Sequence, residues 1–100
     1  MIKRPYGKNG IELSIIGFGG IVVSQTEASE AAALVRSAVE SGINYFDVAP
    51  SYGDAEQQLG PALEPFRSDV FLACKTTQRR RHEAEQELHA SLKQMRTQHF

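Results

Sequence analysis

Cysteine occurs once in these 100 residues, at Cys74, so no internal disulfide can form. That excludes the disulfide-stapled scaffolds of small secreted proteins and fits a reducing compartment. An excess of one charge is also missing, because 11 basic residues stand against 12 acidic ones for a net charge of -1. Bulk attraction to nucleic acid or anionic lipid is therefore not expected. No window approaches the ~20 apolar residues that a membrane span requires. The opening residues Met1-Ile2-Lys3-Arg4-Pro5-Tyr6-Gly7 lack the apolar core of a signal peptide. Linkers, low-complexity stretches and sequence repeats are absent as well. Together these absences lead to the expectation of a soluble, cytoplasmic chain with no nucleic-acid or membrane partner.

What remains is globular in composition, with 41% hydrophobic and 23% charged residues. Residues 5–14 read as a hairpin about Asn9-Gly10, the strongest two-residue turn signal. Residues 15–20 read as a short strand ending in glycines, which allow close backbone approach to a ligand. Apolar residues Ala31, Leu34, Val35, Ala38 and Val39 predict a helix over 26–41, with Thr26 as N-cap and Gly42 at C′. Residues 43–49 form an apolar run that predicts a strand covered on both faces. A second helix is expected over 55–63, shortened by Gly60-Pro61, and a third strand over 69–76. A third helix is expected over 81–95, with Ala84, Leu88, Leu92 and Met95 on one face. Alternating strands and helices predict a parallel sheet with the helices outside.

In such folds the C-terminal ends of strands face the site. Asp47 and Lys75 occupy two such ends, and Tyr52 follows the first of them. A free tyrosine, with a pKa near ~10, is a slow acid at neutral pH. A neighbouring ammonium favours its phenolate, and a carboxylate keeps the ammonium charged and in place. Such a trio suits proton transfer to or from a carbonyl or alcohol oxygen.

The segment that holds Asp47 and Tyr52 reads Asp47-Val48-Ala49, two residues, Tyr52-Gly53, two residues, Glu56, two residues, Leu59-Gly60. It resembles the signature of the aldo-keto reductase family, in which threonine usually stands where Val48 does. The resemblance extends to Gly17-Phe18-Gly19-Gly20 after the hairpin, to Glu40-Ser41-Gly42 and to Lys75-Thr76, and so covers essentially the whole chain. It implies an α/β fold, a (β/α)8 TIM barrel with an N-terminal β-hairpin, of which these residues make the hairpin and about the first three β/α units. It implies NADPH, or NADH, as cofactor and a small aldehyde, ketone or sugar as substrate. Tyr52 becomes the general acid or base, Lys75 the residue that lowers its pKa, and Asp47 the partner of Lys75 and of the cofactor ribose. Gly20 and Ile21 become backbone neighbours of the cofactor. The family also includes channel-associated subunits, which makes a non-catalytic or regulatory binding protein the alternative.

Residues 97–100 look like the start of a fourth strand, which leads to the expectation of a longer protein. By the family's spacing its catalytic histidine falls beyond Phe100, and His99 is not that residue. Three parallel strands alone would leave an open apolar edge. Cys74 is read as a small hydrophobe turned away from Lys75, and Arg79-Arg80-Arg81 as a solvated loop. His82 and His89 lack metal-ligand spacing. Glu56 falls on the signature glutamate.

Overall fold

Asn9 and Gly10 do turn the chain, but within a four-residue loop. The computed structural model describes residues 1–100. Strands β1 (Lys3–Pro5) and β2 (Glu12–Ser14) pair antiparallel, with Lys3 opposite Ser14 and Pro5 opposite Glu12. The Tyr6 N–H donates to the Ile11 carbonyl at 2.8 Å, which leaves residues 7–10 as the loop. The left-handed positions are Gly7 and Gly10, at φ 72° and 81°. Asn9 instead accepts the Ile11 N–H on its side chain at 3.0 Å, forming an Asx turn.

Strands β3 (Phe18–Gly19), β4 (Tyr45–Asp47) and β5 (Phe71–Ala73) form a parallel sheet in that order. Each is shorter than its apolar run predicts. The pairing reaches slightly further, because the Phe71 N–H meets the Asn44 carbonyl at 2.7 Å and the Val48 N–H meets the Ala73 carbonyl at 3.0 Å. Helices α1 (Ala28–Glu40), α2 (Ala55–Leu63) and α3 (Arg81–Gln94) follow the three strands in turn. Successive strands are added in one direction, so right-handed crossovers place the helices on a single face. The result is a slab 39 × 37 × 18 Å across.

Strand alternation sorts β4 accordingly. Phe46 and Val48 are fully buried beneath the helices, while Tyr45 and Asp47 on the other face are half-buried. The second face meets the hairpin side. There Tyr6 packs edge-on against Phe71 at 5.3 Å, and Tyr45 lies 5.8 Å from Phe71. Asn44 fastens the hairpin to this sheet. Its side chain accepts the Ser14 N–H at 2.7 Å and donates to the Glu12 carbonyl at 2.9 Å.

Thr26 does not cap α1. Its hydroxyl donates back to the Val23 carbonyl at 2.7 Å, and the N-cap position falls to Glu27, whose side chain makes no capping bond. The C-terminus closes as expected. Gly42, at φ 94°, donates to Val39, and Ile43 donates to Ala38, the paired bonds of a Schellman motif. Ala31, Val35 and Ala38 are buried, but Leu34 at the edge of the stripe is exposed. On α3, Ser91 is buried, as is Met95 at its C-cap, while Leu88, expected on the same face, is also exposed.

Helix α2 reaches Leu63 with Pro61 inside it, followed by a 3-10 segment over Glu64–Asp69. The Arg67 side chain from that segment donates to Thr97 at 2.8 Å, to the Val70 carbonyl at 3.1 Å and to the His99 carbonyl at 2.8 Å. It thereby holds residues 97–99 against the start of β5.

Helices α2 and α3 touch backbone to backbone at Gly60. A Cβ placed there would strike the Gln94 carbonyl and come within 2.9 Å of the Met95 Cα. Both obstacles are backbone, so no side-chain rotation relieves them. Gly60→Ala is expected to lower stability by ~1–3 kcal/mol through overpacking, despite the better helix propensity of alanine. Chemical denaturation of wild type and variant checks this, and equal midpoints would contradict the close crossing.

Candidate active site

Parallel register brings the site together. Asp47 stands opposite Ala73, so Lys75 emerges from β5 beside the last residue of β4. Its ammonium has three protons and three partners. Lys75 Nζ donates to the Asp47 carboxylate at 2.9 and 3.0 Å, to the Val48 carbonyl at 2.9 Å and to the Tyr52 hydroxyl oxygen at 3.3 Å. It also lies 4.8 Å from the centroid of the Tyr52 ring, within cation–π range. The three sequence-predicted residues Asp47, Tyr52 and Lys75 therefore converge on one point.

The ion pair is half open to water, with 43% of the Lys75 side chain and 32% of that of Asp47 exposed. Exposed pairs contribute little to stability, ~0–1 kcal/mol. Their effect here is geometric, because an ammonium with three fixed acceptors cannot swing. Partial burial acts to lower the Lys75 pKa, but the hydrogen bonds and charge of Asp47 and Tyr52 outweigh it and leave it above the ordinary value of 10.5. Lys75 is thus a fixed positive charge at neutral pH. An ammonium cannot accept a hydrogen bond, so the Tyr52 proton is not committed to it.

Gly20 and Ile21 open a 3-10 turn over Gly20–Val23, directly after β3. Gly20 is buried, and a Cβ on it would lie 2.6 Å from the Asp47 carbonyl. Ile21 and Val22 leave 56% of their surface exposed at the same end of the sheet as Asp47.

The profile of the Aldo/keto reductase family matches residues 15–100. The chain belongs to that family. Among curated proteins it is 38% identical over 81 residues to L-galactose dehydrogenase of Arabidopsis thaliana, an alignment covering 72% of this chain and 25% of the relative. It is 33% identical over 82 residues to the probable voltage-gated potassium channel subunit beta of the same plant, covering 75% of this chain and 25% of that one. A solved structure from Pseudomonas aeruginosa assigned to the aldo-keto reductases superposes with a TM-score of 0.83 at 30% identity, covering 96% of this chain and 42% of the other. The chain spans about a quarter of the length of the curated relatives it matches.

The aldo-keto reductase signature now has a physical reading. Val48, its one departure, has a fully buried side chain facing the helices, and only its carbonyl serves the site. Glu56 is buried in the first turn of α2. The Cys74 thiol donates to its carboxylate at 3.6 Å, a partner that sequence reasoning did not supply. Burial first, then the Glu56 charge, push the Cys74 thiol above its ordinary range, in keeping with an unreactive role. Arg79, Arg80 and Arg81 are all exposed, but only the first two precede α3, and Arg81 is its first residue. His99 is tied to Arg67 through its carbonyl.

Two supports were not singled out from the sequence. Glu87 on α3 accepts the Thr76 hydroxyl and, at 3.3 Å, the Thr77 N–H, which steadies the chain just after Lys75. Asp54 accepts the Gln25 N–H at 2.7 Å and the Ser24 hydroxyl at 3.3 Å. The Gln25 bond is the main reason its carboxyl stays below the usual carboxylate range. Both supports join a loop to a separate element, 10 and 11 residues away for Glu87 and 29 and 30 for Asp54, and such pairings leave no periodic trace in the spacing.

The raised Lys75 pKa has a definite sign. The charged form is favoured by folding, so its contribution is complete below the ordinary 10.5 and disappears as pH rises through the higher folded-state value. Denaturation midpoints measured across alkaline pH should therefore fall more steeply in wild type than in Lys75→Met. Parallel curves would show that the ammonium is not stabilised by its partners.

Proposed function

We propose that this chain carries the proton-transfer half of an NAD(P)H-dependent carbonyl reductase site, within an aldo-keto reductase (β/α)8 barrel of which it forms the N-terminal part. The supporting observation is the saturation of Lys75. With all three ammonium protons donated, the Tyr52 hydroxyl is the one polar hydrogen of the trio left to reach a ligand oxygen.

Tyr52 donates its proton to the carbonyl oxygen in reduction and recovers one from the alcohol in oxidation. Lys75 stabilises the phenolate left behind, because its charge sits against that oxygen before the reaction begins. Asp47 holds the ammonium and keeps it charged. A nicotinamide cofactor, NADPH or NADH, supplies the hydride when bound.

The residues present fit such a group. The Asp47 carboxylate is partly exposed and retains lone pairs for a ribose hydroxyl, and Gly20 and Ile21 offer backbone at the same strand ends. Small aldehydes, ketones or sugars are the substrate class. A cytoplasmic location accords with the single unpaired thiol, and no helix is long and apolar enough to cross a membrane.

A second reading is a regulatory binding subunit on the same fold, favoured by the 33% identity to the potassium channel subunit beta. Oxidation of NADPH with an aromatic aldehyde by the full-length protein separates the two. Turnover is expected, and Tyr52→Phe should reduce kcat by ~10² to 10⁴ while cofactor affinity stays near wild type. A Tyr52→Phe protein that turns over normally would remove Tyr52 from the mechanism. Cofactor binding without turnover in wild type would select the regulatory reading.

A further inference from the structure

We propose that Asp54 is a positioning residue that sets the Tyr52 loop against the segment Ser24–Gln25 and so fixes the Tyr52 hydroxyl on Lys75. The proposal rests on Tyr52 acting as the proton donor. Asp54 occupies the N-cap position of α2, where an aspartate ordinarily accepts an N–H of its own helix, yet it makes no such bond. Its carboxylate is turned to the facing segment instead. It accepts the Gln25 N–H at 2.7 Å and the Ser24 hydroxyl at 3.3 Å, with the Gln58 side-chain amide at 3.5 Å completing the set.

The backbone on both sides of this clamp is unusual. Gln25 is held in the left-handed region at φ 63° without being glycine. Gly53, next to Tyr52, is also left-handed at φ 59°, and a Cβ on it would lie 2.7 Å from the Ser24 hydroxyl oxygen. Two irregular turns are thus pressed together, with the carboxylate between them. Within its own loop, Tyr52 has only short-range backbone bonds, to Ala49 and from Ala55. Apart from the Tyr52–Lys75 contact, the hydrogen bonds joining residues 50–54 to another segment of the chain run through Asp54.

The facing segment also has a link to the strand ends. The Ser24 N–H donates to the Ile21 carbonyl at 3.0 Å, within the turn proposed to lie beside the cofactor. Asp54 therefore joins the two loops that the reaction needs in register. Its loss should let Tyr52 drift from Lys75 while substrate contacts elsewhere persist, which predicts a fall in kcat rather than a rise in KM.

The experiment uses the full-length protein with NADPH and an aromatic aldehyde, together with amide hydrogen exchange at Gln25. In Asp54→Ala, kcat is expected to fall ~10-fold, with the aldehyde KM within ~2-fold of wild type. Exchange at Gln25 should quicken ~10-fold. Asp54→Asn keeps an oxygen that accepts the Gln25 N–H, and should hold kcat within ~3-fold of wild type. Should Asp54→Ala not fold, Asp54→Ser takes its place, because its hydroxyl can cap α2 but is too short to reach Gln25. Wild-type kcat in the alanine or serine variant would overturn the proposal, and so would an asparagine variant as slow as alanine. If Tyr52→Phe proves fully active, the assignment of Tyr52 fails on its own. Exchange at Gln25 then decides the clamp, with a faster rate in Asp54→Ala supporting it and an unchanged rate overturning it.

Discussion

Everything at this end of the sheet is organised around one ammonium with no spare proton. Lys75 is bonded to a side chain of β4, to the carbonyl that follows it and to the loop beyond, so three pieces of chain meet on a single atom. The energy involved is small, because the pair is half exposed. The constraint on geometry is large, because each bond removes a different direction of motion. A lysine side chain is flexible and loses about 2 kcal/mol of rotamer entropy when fully held. That loss must be offset by packing elsewhere, and the offset comes from the core beneath.

The core supplies it through strand register. Phe46, Val48 and Leu72 are buried against the helices, and their fixed positions leave Asp47 and the residues after Ala73 no freedom to slip. A one-residue shift in the pairing of β4 and β5 would turn Phe46 or Leu72 to the uncovered face. Full burial of such side chains contributes ~1.5–3 kcal/mol each, far more than the ion pair they align. The close crossing at Gly60 belongs to the same arrangement, since it lets α3 and the buried Met95 settle onto α2.

The fold was legible wherever one period dominated. The helices, the order of strands and the trio of site residues all follow from apolar spacing and from polar residues at strand ends. Boundaries were less legible. Thr26 reads as a cap but bonds backwards to Val23, and Leu34 and Leu88 fit a helical stripe yet stay exposed because the packed stripe is narrower than the apolar one. The Asn9-Gly10 pair foretold a hairpin but not its loop, because Gly7 offered a second left-handed position. The Val48 carbonyl could not be read at all, since a backbone group carries no residue-specific signal. The partnership of Glu56 and Cys74 was hidden for another reason, because it joins a helix start to a strand end eighteen residues on.

That buried carboxylate shows how the signature serves structure as well as chemistry. Glu56 lies in the first turn of α2, where free N–H groups and the helix dipole favour negative charge. Its hydrogen-bonding side-chain partner is the Cys74 thiol, a weak donor. Asp54, two residues earlier at the N-cap, gives its carboxylate to Gln25 instead of to that terminus. The two acids thereby divide one task. Glu56 supplies the negative charge that the start of α2 favours, and this leaves Asp54 free to reach across to the neighbouring loop. If Asp54 capped its own helix, the Tyr52 loop would lose its tie to Gln25. The helix start would gain a bond at the site's expense.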